Sequence, residues 1–338
     1  MSVQPNVVLT GDAVVQNAIR VTAPNYTISN DGSLSGNLQG IFADPLTASG
    51  LSINNSAGAT ISGLSDGIAA GTNALITNNG EIRGINGTGI STGIGGTLTN
   101  TGTIEGTTGI TATNGSSIRS SGTIRSTAVG GNAFTGGIGN DTLFLDQGSL
   151  VQGNIIGGLG VDGLTLTDGR TTPTIGSNDI RGSVAGFSTI TKEGTGLALI
   201  GTVADAGTVL DVTADAIQIN SGALYFNSDI AGATVPSAVI NANGAAVGGT
   251  GLWLADLNVI TGGFSAGAIP INLDSNPQNS VGTVTIAGDV SHIPRFVHPD
   301  GHDSGHGDQQ RHQQRPHHPG RGGQHLRCQR SQPPRLLH

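Results

Sequence analysis

The segment LTNTGTIEG (98–106) contains the pattern that decides the fold of this chain. Apolar and polar residues alternate on either side of an Asn-Thr-Gly triplet. Side chains alternate between the two faces of a β-strand, so the spacing predicts that Leu98 and Ile104 point inward and that Glu105 points outward. Asn tolerates left-handed backbone and Gly supplies positive φ, so the triplet predicts a turn between two short strands.

Related segments recur along the first half of the chain, and each contains one shared glycine. The segments are 30–36, 54–63, 78–84, 100–106, 120–126, 146–153 and 167–170. Their glycines are 20 to 26 residues apart, which is the length of one coil of a β-solenoid. Asn-Gly is also a hairpin signal, so a local hairpin is the alternative, but the regular period favours coils stacked in parallel.

The composition agrees with an all-β chain that has a core of small and β-branched side chains. Of 338 residues, 57 are Gly, only 3% are aromatic, and Lys192 is the single lysine, so the usual formers of exposed helix faces are scarce. Residues 1–291 contain 7 basic and 19 acidic residues. An acidic body neutralises few phosphates and has no polybasic face, which argues against nucleic acid and anionic lipid as partners.

The composition changes abruptly near residue 291. All nine histidines, the only cysteine (Cys328) and seven arginines lie in 292–338. We therefore expect an N-terminal segment (1–26) without an obvious cap, a β-helical domain (27–291) and a disordered tail (292–338). The first residues contain no basic region followed by an apolar stretch, so they predict no signal peptide.

Three further passages are typical of one family. They are the paired Gly-Gly-x-Gly-x-Asp-x-Leu turns within 136–169, the segment FSTITKEGTGLAL (187–199), and the group formed by 246–251, Gly262-Gly263 and 279–286. Together they resemble the passenger region of Gram-negative autotransporters. The family usually has Gly where Gln278 stands between Pro277 and Asn279.

The resemblance implies a right-handed parallel β-helix displayed at the cell surface or outer membrane. Such passengers usually serve adhesion, aggregation or presentation, so the expected partner is a ligand on a host or neighbouring cell. The barrel that would translocate the passenger is absent from this sequence, so we expect no direct membrane insertion. The His- and Arg-rich tail is typical of a gene read out of frame, and a chain without leader or barrel is expected to remain cytoplasmic.

Two turns offer an alternative chemistry. Asp141 and Asp162 follow Gly-x-Gly motifs that also match the calcium-binding nonapeptide of repeats-in-toxin proteins. Calcium sites of that type need tandem nonapeptides, whereas these two copies are 21 residues apart, so a structural turn is the favoured interpretation. A calcium-stabilised repeat protein remains an alternative function.

Two other kinds of site are matched only in part. Gly158, Gly160 and Gly163 fit a dinucleotide fingerprint, but a strand follows where a helix is required. A polysaccharide lyase or hydrolase would need clustered carboxylates and stacking aromatics. The candidates are Asp205, Asp211 and Asp215, the pair Asp141 and Asp162, and the scattered Tyr26, Tyr225 and Trp253.

Histidines of the tail, such as His302 with His306 and His317 with His318, have spacings that can bind metal. We attribute them to the out-of-frame tail and expect no evolved site there. The sequence therefore predicts no catalytic, cofactor-binding or metal-binding residues, no cofactor and no enzymatic activity. An open terminal coil also predicts self-association by edge pairing.

Overall fold

The computed structural model of the protein is a parallel β-solenoid, and its described residues form no helix. The backbone is described for residues 2–3, 8–10, 17–169, 179–201, 211–227, 229–231, 239–253, 256–266, 284–286 and 290–291. Side chains are described for 17–169, 179–201, 212–226, 241–242 and 245–249. The predicted tail (292–338) and the expected turn at Asn279 lie outside the described residues.

The described chain forms short strands, most of them two to five residues long. In chain order they are β1 (Ser2–Val3), β2 (Val8–Thr10), β3 (Ile19–Val21), β4 (Thr27–Asn30), β5 (Ser33–Gly36), β6 (Ile41–Ala43), β7 (Ser52–Asn55), β8 (Thr60–Gly63), β9 (Ile68–Ala69), β10 (Leu75–Asn78), β11 (Glu81–Gly84), β12 (Thr88–Ser91), β13 (Thr97–Asn100), β14 (Thr103–Gly106), β15 (Thr108–Thr111), β16 (Ser117–Ser120), β17 (Thr123–Ser126), β18 (Asn132–Thr135), β19 (Thr142–Leu145), β20 (Leu150–Gln152), β21 (Asn154–Ile156), β22 (Gly163–Thr167), β23 (Asp179–Arg181), β24 (Val184–Glu193), β25 (Leu197–Ile200), β26 (Asp211–Ile219), β27 (Ala223–Asn227), β28 (Asp229–Ala231), β29 (Val239–Trp253), β30 (Asp256–Ala266), β31 (Val284–Ile286) and β32 (Val290–Ser291).

Three strands make one coil, and each strand pairs in parallel with its counterpart one coil later. Thus β10 pairs with β13, β11 with β14 and β12 with β15. These strands belong to the first, second and third sheets. We call the turns from first to second, second to third and third to first sheet the first, second and third corners. The solenoid has about nine turns, which confirms the predicted fold class and excludes the hairpin alternative.

Longer strands from β24 onward pass round corners and join two sheets. Val184 of β24 pairs with Ile155 in the third sheet, while Ile190 of the same strand pairs with Leu164 in the first. Here the third corner has no protruding turn. Phe187 fills the bend, 1% exposed, with its ring centroid 6.5 Å from that of Phe134.

The core consists of one inward row of aliphatic side chains from each sheet. In the first sheet, Ile53, Ile76 and Leu98 lie in register and are at most 1% exposed. The second and third sheets repeat the arrangement, for example with Ile82 on Ile104 and with Ile90 on Ile110. Stacking like on like buries each side chain against the coils above and below at a spacing of about 4.8 Å, so few aromatics are needed.

A ladder of buried asparagines runs beside the first aliphatic row. Asn30, Asn55, Asn78 and Asn100 each end a strand of the first sheet, and each is fully buried. The Nδ2 of each of the first three donates to the Oδ1 of the next at 2.8 Å, and Asn100 Nδ2 donates to Ser120 Oγ at 3.0 Å. Each amide also donates to nearby backbone carbonyls, such as Asn78 Nδ2 to Thr103 O at 3.2 Å. The ladder therefore satisfies the carbonyls of the first corner inside the core.

The turn chemistry predicted for this corner is wrong in one respect. Among the described residues, the non-glycine residues with positive φ are Asn25, Asn73 and Asp168, so the ladder asparagines do not use the left-handed region. The prediction for glycine is confirmed at Gly58 and Gly148, whose φ values are 79° and 99°, but Gly80 and Gly102 have no positive φ. A Cβ at Gly102 would lie 2.0 Å from Gly80 O, so glycine is needed because the stacked turns approach closely.

Replacing Asn78 with Ala tests the ladder. The substitution removes the acceptor of Asn55 Nδ2 and the donor to Asn100 Oδ1, so we expect the free energy of unfolding to fall by about 2–4 kcal/mol. Urea unfolding followed by circular dichroism measures it. The neighbouring Thr77→Ala, which truncates an outward side chain, should change stability by less than about 0.5 kcal/mol. Equal effects of the two substitutions would contradict a stabilising role for the ladder.

Candidate functional site

The two aspartates of the Gly-rich turns lie at equivalent places in adjacent coils, at the end of the third corner. Asp141 and Asp162 are each 1% exposed. The Asp141 carboxylate accepts hydrogen bonds from the backbone N of Ser116 at 2.7 Å and of Gly137 at 3.0 Å, and Asp162 Oδ1 accepts one from Asp141 N at 2.8 Å. Both carboxylates thus bind backbone donors of stacked turns. In the described part of the chain, no group of three or more His, Cys, Asp or Glu side chains could hold a metal ion.

The carboxylates of Asp141 and Asp162 differ in the hydrogen bonding of one oxygen. Within the described structure, Asp162 Oδ2 is buried and has no hydrogen-bond partner. Burial raises the pKa of the Asp162 carboxyl, the hydrogen bond from the Asp141 backbone opposes that rise, and the nearby Asp141 charge adds to it. A proton on this oxygen removes the desolvation penalty of an unpaired buried charge.

A charged cluster on the second sheet was not found from the sequence. Glu105 was predicted to point outward, and it does lie in the outward row, but it is 1% exposed because arginines of the two adjacent coils cover it. Arg83 Nε is 2.8 Å from Glu105 Oε1, and Arg125 Nε donates to Glu105 Oε2 at 2.5 Å. Both arginine side chains remain about half exposed. The spacing of Arg83, Glu105 and Arg125, 22 and 20 residues, was the available signal.

Lys192, in the segment that resembles the passenger repeat, is fully buried. It pairs with Leu166 in the row that continues the asparagine ladder, and its Nζ donates to Glu193 O and, at 3.2 Å, to Gly194 O. Burial lowers the pKa of the Lys192 ammonium, while the charges of Asp168 and Glu193 raise it. The amine therefore holds the first corner by donating to its carbonyls, as the asparagines do in earlier coils.

The other candidates do not form a site in the described structure. Gly163 begins strand β22, so the glycines of the dinucleotide fingerprint precede a strand and not a helix. Asp215 is exposed on β26, the Asp205 backbone lies outside the described residues, and so does the Asp211 side chain. Tyr26 is 56% exposed on the third corner, whereas Tyr225 lies on β27 of the second sheet. Trp253 is described only by its backbone, which pairs with Ile230.

Comparisons with known proteins give no assignment. No family model, no curated protein and no solved structure matches this chain. No helix within the described residues is long and apolar enough to cross a bilayer. The histidines of the tail, including His302, His306, His317 and His318, lie outside the described residues.

Removing both arginines around Glu105 should be far more harmful than removing one. Arg83→Gln alone should lower the free energy of unfolding by less than about 1 kcal/mol, because Arg125 still pairs with the carboxylate. Arg83→Gln with Arg125→Gln leaves the carboxylate buried and unpaired, with an expected loss of about 3 kcal/mol. Urea unfolding of the two single variants and the double variant measures this. Additive effects would show that Glu105 is not shared between the two arginines.

Asp162 should make the protein less stable as the pH rises. Its pKa in the folded protein is raised above the ordinary value of 3.8, so the folded state binds the proton more tightly than the unfolded chain does. The stabilisation that the protonated Asp162 gives the folded protein is complete below pH 3.8. It is lost as the pH rises through the pKa of Asp162 in the folded protein. Melting temperatures are measured from acid to neutral pH. The melting temperature of Asp162→Asn should rise relative to that of the wild type as the pH rises. The neighbouring Val161→Ala is the control, and a constant difference between Asp162→Asn and wild type would contradict the assignment.

Proposed function

We propose that this chain is a non-enzymatic, adhesin-like passenger of the autotransporter type, displayed at a cell surface, where it binds partners through the stacked polar faces of its solenoid. The family part of this proposal rests on the three passages that resemble autotransporter passengers. The binding part rests on the outward rows of the first sheet. Ser29, Asn54, Thr77 and Thr99 lie in register in one such row, and beyond Arg119 and Phe144 the same row continues with Thr165, Thr191, Gln218 and Asn241.

Rows of this kind suit recognition without catalysis. Each row offers hydroxyl and amide groups repeated at about 4.8 Å, so an extended ligand meets the same donor and acceptor pattern from coil to coil. Individual contacts are weak, and affinity comes from their number. The buried carboxylates of Asp141, Asp162 and Glu105 are bound to backbone donors or arginines, which supports a structural use of the acidic groups.

Binding assays on cells and on matrix proteins test the proposal. Labelled full-length protein is applied to host cells, matrix-coated wells and bacterial cells, with the heat-unfolded chain as the control. Thr77→Arg with Thr99→Arg alters the first sheet, and Thr103→Arg with Thr123→Arg is the matched change on the second. We expect specific binding, and we expect its affinity to fall about tenfold with the first-sheet pair and to stay unchanged with the second-sheet pair.

Two results would contradict the proposal. One is binding no stronger than that of the unfolded chain on every surface. The other is release of new sugar ends from a panel of polysaccharides, which would support the alternative of a polysaccharide-active enzyme. Cellular fractionation of the natural producer tests the location separately.

A further inference from the structure

Among the side chains that the structure describes, the large hydrophobic ones that are exposed lie at the two borders of the third sheet. The described side chains include eleven large hydrophobic residues that are exposed. Seven lie on the third corner or at the strand residue that follows it, namely Tyr26, Leu46, Leu75, Ile94, Ile138, Leu159 and Val161. The other four lie on the second corner, namely Leu38, Leu64, Ile85 and Val129. This distribution is not that of scattered surface residues, which need no explanation.

Between these borders the outward row of the third sheet consists mostly of small side chains. Ala69, Ser91, Thr111, Thr135, Ile156 and Ala185 lie in register on successive coils, and all are partly exposed. We call this row and the exposed residues of its two borders from Leu64 to Val161 the third-sheet face. Within the described structure it is a channel of small, partly exposed residues flanked by aliphatic ridges, of which Ile138 and Leu159 are 72% and 70% exposed.

The third-sheet face also has almost no charge. The strands and corners that form it span 64–74, 85–96, 107–116, 127–141, 153–162 and 182–188. Their ionisable side chains are the partly exposed Asp66, which accepts a hydrogen bond from Thr88 N at 2.8 Å, and Asp141 and Asp162, each 1% exposed. The second sheet, in contrast, presents Arg83 and Arg125 outward, and the first sheet presents Arg119 paired with Asp146.

We propose that the third-sheet face is a docking surface for a second copy of this chain, so that two solenoids associate side by side. Residues 1–291 carry 7 basic and 19 acidic residues, so two copies repel each other at most orientations. From β12 to β24 the third-sheet face lets two copies meet without bringing charged side chains into contact or burying an unpaired charge, whereas on these coils the second sheet presents Arg125 and the first sheet presents Arg119 and Asp146. An aliphatic ridge of one copy then lies in the small-residue channel of the other. This contact is lateral, unlike stacking of terminal coils, and it is independent of the proposed adhesive function.

The size of the face sets the expected strength. From β9 to β24 the third sheet spans about 24 Å along the solenoid, and with its borders it is about 20 Å wide. A face-to-face contact buries about 1,000 Å² in total, at the lower end of specific interfaces. A closed, reversible dimer with a micromolar dissociation constant is therefore expected, because a two-fold contact uses the face of each copy once.

Sedimentation velocity of the full-length chain tests the inference. The protein is examined between about 1 and 100 µM, the range in which a contact of this size dissociates. EDTA is present so that the nine histidines of 292–338 cannot link copies through trace metal. We expect a monomer that converts to a single dimer as concentration rises, with stronger association at higher salt, because salt screens the repulsion between acidic bodies.

Substitutions at the exposed ridge distinguish the face from other contacts. Ile138→Glu with Leu159→Glu should raise the dissociation constant at least about tenfold. Ile138→Arg with Leu159→Arg should do the same, although it lowers the net negative charge, because the contact is apolar. Thr97→Glu with Thr99→Glu is the matched control, with the same charge change on the first sheet and an unchanged dissociation constant expected. Val129→Glu, fully exposed on the opposite border, repeats the test at a second place.

Each alternative has its own result, and each would overturn the proposal. A monomer at all concentrations excludes the second copy as partner. An open series of oligomers whose distribution is unchanged by Ile138→Glu with Leu159→Glu indicates stacking through terminal coils. Stronger association of the variant Ile138→Arg with Leu159→Arg than of the wild type indicates that net charge alone controls association. Flotation of a persistent monomer with neutral phosphatidylcholine vesicles indicates that the face binds lipid.

Discussion

Hydrogen bonding between identical side chains on adjacent coils is the constraint on which this structure depends. In a parallel stack every residue lies on its counterpart, so an inward amide can satisfy its hydrogen bonds through the equivalent amides of the coils above and below. Asn55, for example, both accepts from Asn30 and donates to Asn78, and its amide also reaches the carbonyl of Glu81. A single asparagine in an otherwise aliphatic core would leave buried groups unpaired, whereas a run of them satisfies each other.

The ladder ends where the corner changes. After Ser120 the row continues with Leu145 and Leu166, and the turns that follow are held by other means, including the Lys192 ammonium. The Gly-rich third corners of Asp141 and Asp162 occur in this same part of the solenoid. Polar groups are thus distributed so that each stretch of coils has one buried polar position that ties the corner backbone, and the aliphatic rows run unbroken beside it.

The fold could be predicted because the repeat itself is visible in the sequence. The alternation around Leu98 and Ile104 gave the inward rows correctly, since period 2 on short strands leaves little choice. The asparagines were interpreted as turn formers, because nothing within one repeat shows that Asn78 lies under Asn55. Only the register between coils does so, and coil lengths that vary from 20 to 26 residues obscure it.

The same reason explains why the surface features were missed. Glu105 is buried by Arg83 and Arg125, which are distant in sequence and become neighbours only through stacking. The exposed aliphatics at Ile94, Ile138 and Leu159 look scattered along the chain until the third corners are superposed. Asp162 and Asp141 have the same motif, and only the structure distinguishes the oxygen that lacks a donor.

The asparagine ladder also gives the solenoid an electrical direction. All four amides donate in the same sense, from each coil to the next, so their dipoles add instead of cancelling. The result is a buried line of aligned dipoles comparable in kind to the peptide dipoles of a helix, with its acceptor end at Asn30 and its donor end at Ser120. Mutual polarisation along such a line strengthens its hydrogen bonds, so the coils from β4 to β16 are coupled to one another in one direction by a set of interdependent contacts.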